Sequence, residues 1–246
     1  MKSCVPSFDF PNLRLAHLTV REGRHLPRWE ASGATYHIAL HLADSVPADQ
    51  LRAWQEARVL LKDRLDRENR RMTETERNEL KALYNERVER YLATGYGECL
   101  LAKAEIQTCV REILLHENGT SYALHAWCIM PNHLHVVVGS FSEPADMTKT
   151  LSSWKRISGH RINRLLERKG PVWNSDGYTR IIRDKDEYQA QMNYVWHNPE
   201  SAGLTSGFAR ERYVNVEGYG GMRARALRAP TPPYVFRPSG ETLRTR

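Results

Sequence analysis

The sequence is poor in cysteine and in long apolar segments, and both shortages narrow the class of protein. Four cysteines occur among 246 residues with no paired spacing, so neither a disulfide framework nor a cysteine zinc site is expected. No apolar run approaches the length of a membrane span, and Met1-Lys2 leads into no apolar segment typical of a signal peptide. No repeat recurs along the chain. We therefore expect a cytoplasmic protein with reduced thiols and no membrane partner.

Acidic side chains are outnumbered by basic ones. The formal net charge is +7, which favours an anionic partner, nucleic acid above all. Much of the excess lies between Arg223 and Arg246, where six arginines accompany one glutamate. We expect residues 217–246 to form a flexible basic tail and residues 1–33 an irregular arm, which leaves one domain at 34–216.

The apolar patterns predict an α+β domain. Alternation predicts strands at 36–42, 123–129 and 133–138, the last two separated by Pro131-Asn132. Helical spacing predicts helices at 100–116, at 147–168 and from 184 to 198, where Pro199 is expected to stop the chain's last helix. The charged segment 47–94 is expected to be an inserted helical hairpin with a capping box at Thr73–Glu76.

Two histidines lie on one of the predicted strands. Because side chains alternate along a strand, His133 and His135 point to one face, whereas Leu134 points to the other, into the core. Two imidazoles on one face are half of a metal site, although most such pairs bind no metal. His37 and His41 also share one face of a strand. We interpret them as ordinary sheet residues, and they are the rival ligands.

The last helix presents a phenol and an amide on one side. At about 100° per residue, Tyr188 belongs to the core stripe of this helix, whereas Tyr194 lies off the stripe with Asn198 one turn later. A phenol beside a metal-bound phosphate could act as a nucleophile, and an amide oxygen could be a third metal ligand. Tyr188 and Tyr178 are rival nucleophiles. Tyr194 and Asn198 could also have structural roles alone.

The helix expected at 147–168 is rich in basic side chains. The positions concerned are Lys155, Arg156, Arg161 and Arg164. They form either a solvated face or a surface that contacts the phosphates of a nucleic acid.

Two motifs together resemble a known family. The segments MPNHLH at 130–135 and YVWHNPESAGL at 194–204 resemble the two signatures of the IS200-like single-tyrosine transposases. Within that superfamily, the chain is most similar to the REP-associated tyrosine transposases, which belong to the histidine–hydrophobic–histidine nucleases. The resemblance covers roughly residues 34 to 210 and includes the order of the predicted elements.

The resemblance implies a fold and a chemistry. The fold is a central antiparallel sheet with packed helices, ferredoxin-like or RNA-recognition-motif-like. By the resemblance, His133 and His135 bind Mg²⁺ or Mn²⁺ with Asn198 as third ligand, and Tyr194 is the nucleophile. Such enzymes cut single-stranded DNA beside hairpins, form a 5′-phosphotyrosine, release a 3′-OH and can reverse the step. They act as a monomer or a homodimer. The 47–94 insertion and the Arg-rich tail depart from the family pattern.

Two other functions fit the same sequence. One is a DNA hairpin-binding protein that keeps the fold and lacks the chemistry. The other is an RNA-binding module, because RNA-binding domains share this sheet architecture. A metal site combined with a tyrosine distinguishes the nuclease, since RNA recognition needs neither.

Overall fold

The structure is a computed structural model, and it describes residues 19–21, 28–30, 33–70, 73, 75–76, 88, 91–140, 147–175, 177–204 and 214–216. The strands are β1 (Thr19–Arg21), β2 (Arg28–Glu30), β3 (Thr35–His41), β4 (Tyr122–Ile129), β5 (His133–Ser140), β6 (Tyr178–Ile181) and β7 (Val214–Val216). The helices are α1 (Ala48–Arg67), α2 (Ala104–His116), α3 (Met147–Leu165) and α4 (Lys185–Ser201), with a 3₁₀ turn at Leu100–Ala102. Within these residues, no helix has the length and apolar content needed to cross a membrane.

Five strands form one antiparallel sheet in the order β6-β3-β5-β4-β7. The α+β class and the central antiparallel sheet predicted from the sequence are therefore confirmed. The strands β3 and β5, which carry the four histidines, are neighbours at the centre of the sheet. Central strands are covered on both faces, which explains why every residue of β3 and β5 is buried.

The two faces of the sheet contact different helices. One face packs against α2 and α3, through residues that include Ile38, Leu134, Val136, Ile113 and Trp154. The opposite face packs against α4, through residues that include Ala126, Cys128, Val137, Met192 and Val195. Because neighbouring residues of a strand point to opposite faces, the intervening histidines of β3 and β5 lie on the α4 face.

The segment expected to be an irregular arm contains a short ribbon. Strands β1 and β2 pair antiparallel, with Val20 opposite Trp29, in a sheet of their own. Strands of three residues are too short to show a periodic pattern, so alternation alone could not reveal them. The rest of residues 1–33, apart from Gly33, and the basic tail at 217–246 lie outside the described residues.

The insertion after β3 begins as predicted. Helix α1 spans Ala48–Arg67, and the capping box is present: Thr73 Oγ1 accepts from the Glu76 backbone N–H at 3.2 Å, while the Thr73 N–H donates to Glu76 Oε2 at 3.0 Å. Most of the second helix of the predicted hairpin lies outside the described residues.

The prediction that Pro199 stops the last helix is wrong. Helix α4 continues through Pro199 to Ser201. A proline inside a helix removes one N–H donor, but the bonding continues within the same turn, since the Ala202 N–H donates to the Asn198 carbonyl at 3.0 Å. The helix ends instead near Gly203, whose φ of +72° is easily adopted by glycine. Asn198 is therefore a helical residue, one turn after Tyr194.

Candidate metal and tyrosine site

Four histidines meet on the α4 face of the sheet. In the β3–β5 register, His41 lies opposite His133 and Ala39 lies opposite His135. The ring centroids of His133 and His135 are 4.8 Å apart, and those of His37 and His135 are 5.3 Å apart. All four side chains are buried. The predicted metal pair and its two rivals therefore form one cluster, which we call the histidine cluster.

Helix α4 places Tyr194 against this cluster. The Tyr194 hydroxyl oxygen lies 3.5 Å from His135 Nε2, and the two rings meet edge to face with centroids 5.1 Å apart. The Tyr194 ring also meets His37 edge to face, at 5.8 Å. Tyr194 is half-buried, because its neighbours Met192 and Val195 hold α4 on the sheet. The structure thus brings together the phenol and the imidazole predicted to act together.

Burial keeps the histidine cluster neutral. It lowers the pKa of His37 and His41 to about 4 and that of His133 to about 3, and the charge of Arg180 lowers the pKa of His37 further. Burial also lowers the pKa of His135 well below its usual value. Neutral imidazoles keep a lone pair, and a lone pair is what binds a metal ion.

Several ring nitrogens of the cluster have no hydrogen-bond partner among the residues that the structure describes. The atoms are His37 Nε2, His41 Nε2 and His135 Nδ1, all buried. In His41 a local network holds the proton on the other ring nitrogen: Ser45 donates its hydroxyl proton to the Leu42 carbonyl at 2.8 Å and so accepts from His41 Nδ1 at 2.7 Å, which leaves the lone pair on Nε2. Buried polar atoms without partners are rare in folded proteins, and a ligand is one explanation.

The residue types of the predicted ligands suit a divalent metal ion. Among the described residues, no three side chains of His, Cys, Asp or Glu converge as metal ligands. The predicted third ligand, Asn198, is an amide and falls outside that set of residue types. It is half-buried on the turn after Tyr194. Two neutral imidazoles and an amide oxygen suit an ion with mixed nitrogen and oxygen ligands, and they leave positions open for water or phosphate.

The rival tyrosines have different surroundings. The Tyr188 hydroxyl lies 2.9 Å from Nδ1 of His125, a buried histidine of β4 outside the histidine cluster. Tyr178 on β6 lies opposite Ala39, and its ring meets His37 edge to face at 6.0 Å. Tyr188 is therefore engaged elsewhere, while Tyr178 lies at the edge of the histidine cluster.

Sequence reasoning missed Arg180. It lies opposite His37 in the β3–β6 register and forms an ion pair with Glu187 of α4. This places a cation beside the histidine cluster, where a phosphate would need one. No sequence signal marks it, because the pairing of β6 with β3 is a property of the sheet order.

The predicted basic side chains belong to a helix on the other side of the sheet, although the ammonium group of Lys155 lies close enough to His41 to lower its pKa. Helix α3 packs on the face opposite the histidine cluster. Lys155 Nζ donates to the carbonyls of Asn174 and Ser175 at 2.9 and 3.2 Å, which ties α3 to the segment before β6. Arg161 pairs with Glu112 at 3.4 Å. Arg156 and Arg164 are exposed. These four side chains do not converge on Tyr194.

Solved structures similar to this chain include two transposases. No protein-family model matches the chain, and no curated protein matches it. A REP-associated tyrosine transposase bound to a REP hairpin is 14% identical, with a TM-score of 0.40 over 75% of this chain and 76% of that chain. A Deinococcus radiodurans protein described as a transposase is 14% identical, with a TM-score of 0.31 over 72% of this chain and 96% of that chain. Both are described as transposases, the broad class to which the family that the two motifs resemble belongs. Likeness at this level assigns no role to any residue.

Proposed function

We propose that the chain is a metal-dependent endonuclease and strand transferase that acts on single-stranded DNA at hairpin-forming repeats. The observation that carries the proposal is the approach of the Tyr194 hydroxyl to within 3.5 Å of His135 Nε2 in a buried cluster of neutral histidines. The two sequence motifs that resemble the single-tyrosine transposases meet in space at this contact.

The proposed chemistry uses Tyr194 as a nucleophile. Its oxygen forms a bond to phosphorus while the bond from phosphorus to the 3′ oxygen breaks. The phenol proton is lost and the 3′ oxygen gains one, so the products are a 5′-phosphotyrosine and a free 3′-OH. Reversal of the same step joins strands. Mg²⁺ or Mn²⁺, held by His133, His135 and Asn198, would supply charge stabilisation to the phosphate when bound.

Positive charge supports an anionic substrate. Arg180 lies beside the histidine cluster, its side chain 43% exposed, so it can contact a phosphate near Tyr194. The exposed Arg156 and Arg164 of α3 lie on the opposite face of the sheet and can contact DNA only away from the point of cleavage. A DNA hairpin extends beyond the point of cleavage and so offers phosphates to these arginines.

The test is a covalent-adduct assay. Labelled single-stranded hairpin DNA from the repeats that flank the gene is incubated with the protein and Mg²⁺ or Mn²⁺, then resolved on a denaturing gel. We expect an adduct that needs the metal and disappears in Tyr194→Phe and His133→Ala. Tyr188→Phe is the matched control, because it removes a phenol hydroxyl from the same helix outside the histidine cluster.

The other outcomes identify other functions. A mobility shift on a native gel with no adduct under any divalent ion would contradict the nuclease proposal and indicate a hairpin-binding protein. Preferential binding of single-stranded RNA over the DNA hairpin, again without an adduct, would indicate an RNA-binding module.

A further inference from the structure

We propose that Asn132 is a positioning residue that fixes the imidazole of His133 so that its Nε2 atom presents a lone pair to the metal. The inference rests on the proposed function and deepens it, because it names a residue of the site beyond the motif's histidines. Asn132 is 1% exposed, although it lies in the turn between β4 and β5. A turn residue this deeply buried must have its polar groups satisfied inside the protein.

The turn is held by its backbone. The Met130 N–H donates to the His133 carbonyl at 2.8 Å and closes a two-residue connection. The Pro131 carbonyl accepts from the Leu101 N–H at 3.0 Å, and the Asn132 carbonyl accepts from the Leu42 N–H at 2.9 Å. These bonds fix the backbone from which both Asn132 and His133 project.

The Asn132 side chain can be oriented in one way only. One end of its amide lies 3.2 Å from the Tyr96 carbonyl, which is an acceptor, so this end must be the Nδ2 donor. The other end, Oδ1, then faces His133 Nδ1 at 2.8 Å. Because Oδ1 can only accept, Nδ1 of His133 must carry the proton. The remaining nitrogen, Nε2, keeps its lone pair.

This arrangement is the one that metal-binding histidines need. A ligating histidine donates its other ring N–H to an acceptor that sets both tautomer and ring direction. Here the acceptor is an amide, itself oriented by a backbone carbonyl. The network therefore runs from Tyr96 through Asn132 to His133, and removing its middle member frees the imidazole to rotate and change tautomer.

The network begins where the helical insertion ends. Tyr96 directly precedes Gly97 and Glu98, and the Glu98 N–H donates to Asp44 Oδ2 at 2.7 Å. Gly97 has a φ of +95°, and a Cβ there would lie 2.8 Å from the Asp44 carbonyl oxygen, so only glycine fits. The segments on the two sides of the insertion are thus held together at Asp44 and Gly97. This contact positions the Tyr96 carbonyl.

The first experiment measures the tautomer in the metal-free protein. Long-range ¹H–¹⁵N correlation spectra of histidine-labelled protein report which ring nitrogen carries the proton. We expect His133, assigned with His133→Gln, to be protonated at Nδ1 in the wild type and to show mixed tautomers in Asn132→Ala. A wild-type His133 protonated at Nε2 would overturn the proposal.

The second experiment measures Mn²⁺ binding by electron paramagnetic resonance, without DNA. We expect Asn132→Ala to weaken Mn²⁺ binding by about 10- to 100-fold, the usual effect of losing such a partner. Asn132→Asp keeps the acceptor and the size of the side chain but loses the donor to the Tyr96 carbonyl, so we expect a smaller loss of Mn²⁺ affinity than in Asn132→Ala. Asn163→Ala on α3 is the matched control, because it removes an amide that donates to a backbone carbonyl, that of Gly170.

The two experiments separate this inference from the proposed function. Equal Mn²⁺ affinity in Asn132→Ala and the wild type would overturn the positioning role, even if the covalent adduct forms. A wild type that binds no Mn²⁺ and forms no adduct would overturn the proposed function and the metal-presenting role, whatever the tautomer of His133. If Asn132→Ala does not fold, Asn132→Asp becomes the test. Its affinity for Mn²⁺ must then exceed that of His133→Ala.

Discussion

The imidazole of His37 stacks on that of His135, with ring centroids 5.3 Å apart and ring planes 19° apart. His37 therefore lies close enough to the proposed metal pair to compete with it as a ligand. We expect His135→Ala to abolish Mn²⁺ binding and the covalent adduct. His37→Ala should keep both and lower the free energy of unfolding by about 1–3 kcal/mol, since it truncates a buried ring.

These two variants are compared by the adduct assay and by urea unfolding. His133→Ala should likewise abolish Mn²⁺ binding and the adduct, whereas His41→Ala should keep both and lower the free energy of unfolding. Loss of the adduct in His37→Ala at wild-type stability would show that the third ligand comes from β3, and Asn198 would then have a structural role.

The two tyrosines of α4 should respond differently to loss of a hydroxyl. Tyr188→Phe removes the 2.9 Å hydrogen bond with the buried His125, so we expect it to cost about 1–3 kcal/mol of stability and keep the adduct. Tyr194→Phe removes an interaction at the 3.5 Å limit of hydrogen bonding and should change stability by less than about 0.5 kcal/mol while the adduct is lost. Thermal unfolding and the denaturing gel measure the two effects separately.

Each half of the site of His133, His135 and Tyr194 could be predicted from local periodicity, and the resemblance of the two motifs to the single-tyrosine transposases implied that the halves meet. Alternation along β5 sets the histidine face, and helical spacing along α4 takes Tyr194 off the core stripe. His37 and His41 could not be assigned to the same place, since their position depends on the β3–β5 register. Arg180 depends in the same way on β6 pairing with β3.

Two further features of the fold could not be predicted from the sequence, each for a local reason. Pro199 was expected to end α4, but one missing N–H does not end a helix whose next turn is stabilised by the Ala202 and Leu204 backbone bonds to Asn198 and Pro199. The charged side of α3 was visible in the sequence. Which face of the sheet α3 covers was not, because its apolar stripe fits either face equally well.

Because α3 lies opposite the histidine cluster, its exposed arginines should affect DNA binding without affecting chemistry. We expect Arg156→Ala together with Arg164→Ala to weaken binding of a hairpin. The slope of log affinity against log salt should fall by about 0.7–0.9 for each phosphate that the double variant no longer neutralises. At saturating DNA, the rate of adduct formation should be unchanged. Fluorescence anisotropy at several salt concentrations measures the slope.

Arg180→Ala should differ, because Arg180 lies beside the histidine cluster: we expect it to slow adduct formation even at saturating DNA.

The buried histidines should make the metal-free protein sensitive to mild acid. In the folded protein, the pKa of His37, His41 and His125 is lowered to about 4 and that of His133 to about 3, whereas an unfolded histidine titrates near about 6.5. The unfolded chain therefore binds more protons as the pH falls below that value. The stability due to neutral histidines is complete above about pH 6.5 and is lost progressively as the pH falls towards about 4.

The size of this effect can be measured by urea unfolding at pH 7.5 and 5.5, a range above the usual pKa of carboxylates. Each buried histidine should lower the free energy of unfolding by about 1 kcal/mol between the two pH values. His37→Ala removes one titrating group, so its loss over the same range should be smaller by about 1 kcal/mol. Equal stability of the wild type at both pH values would mean that the histidine cluster takes up protons while folded. Such a cluster would be a poor metal site at pH 5.5, and the adduct should then fail at that pH as well.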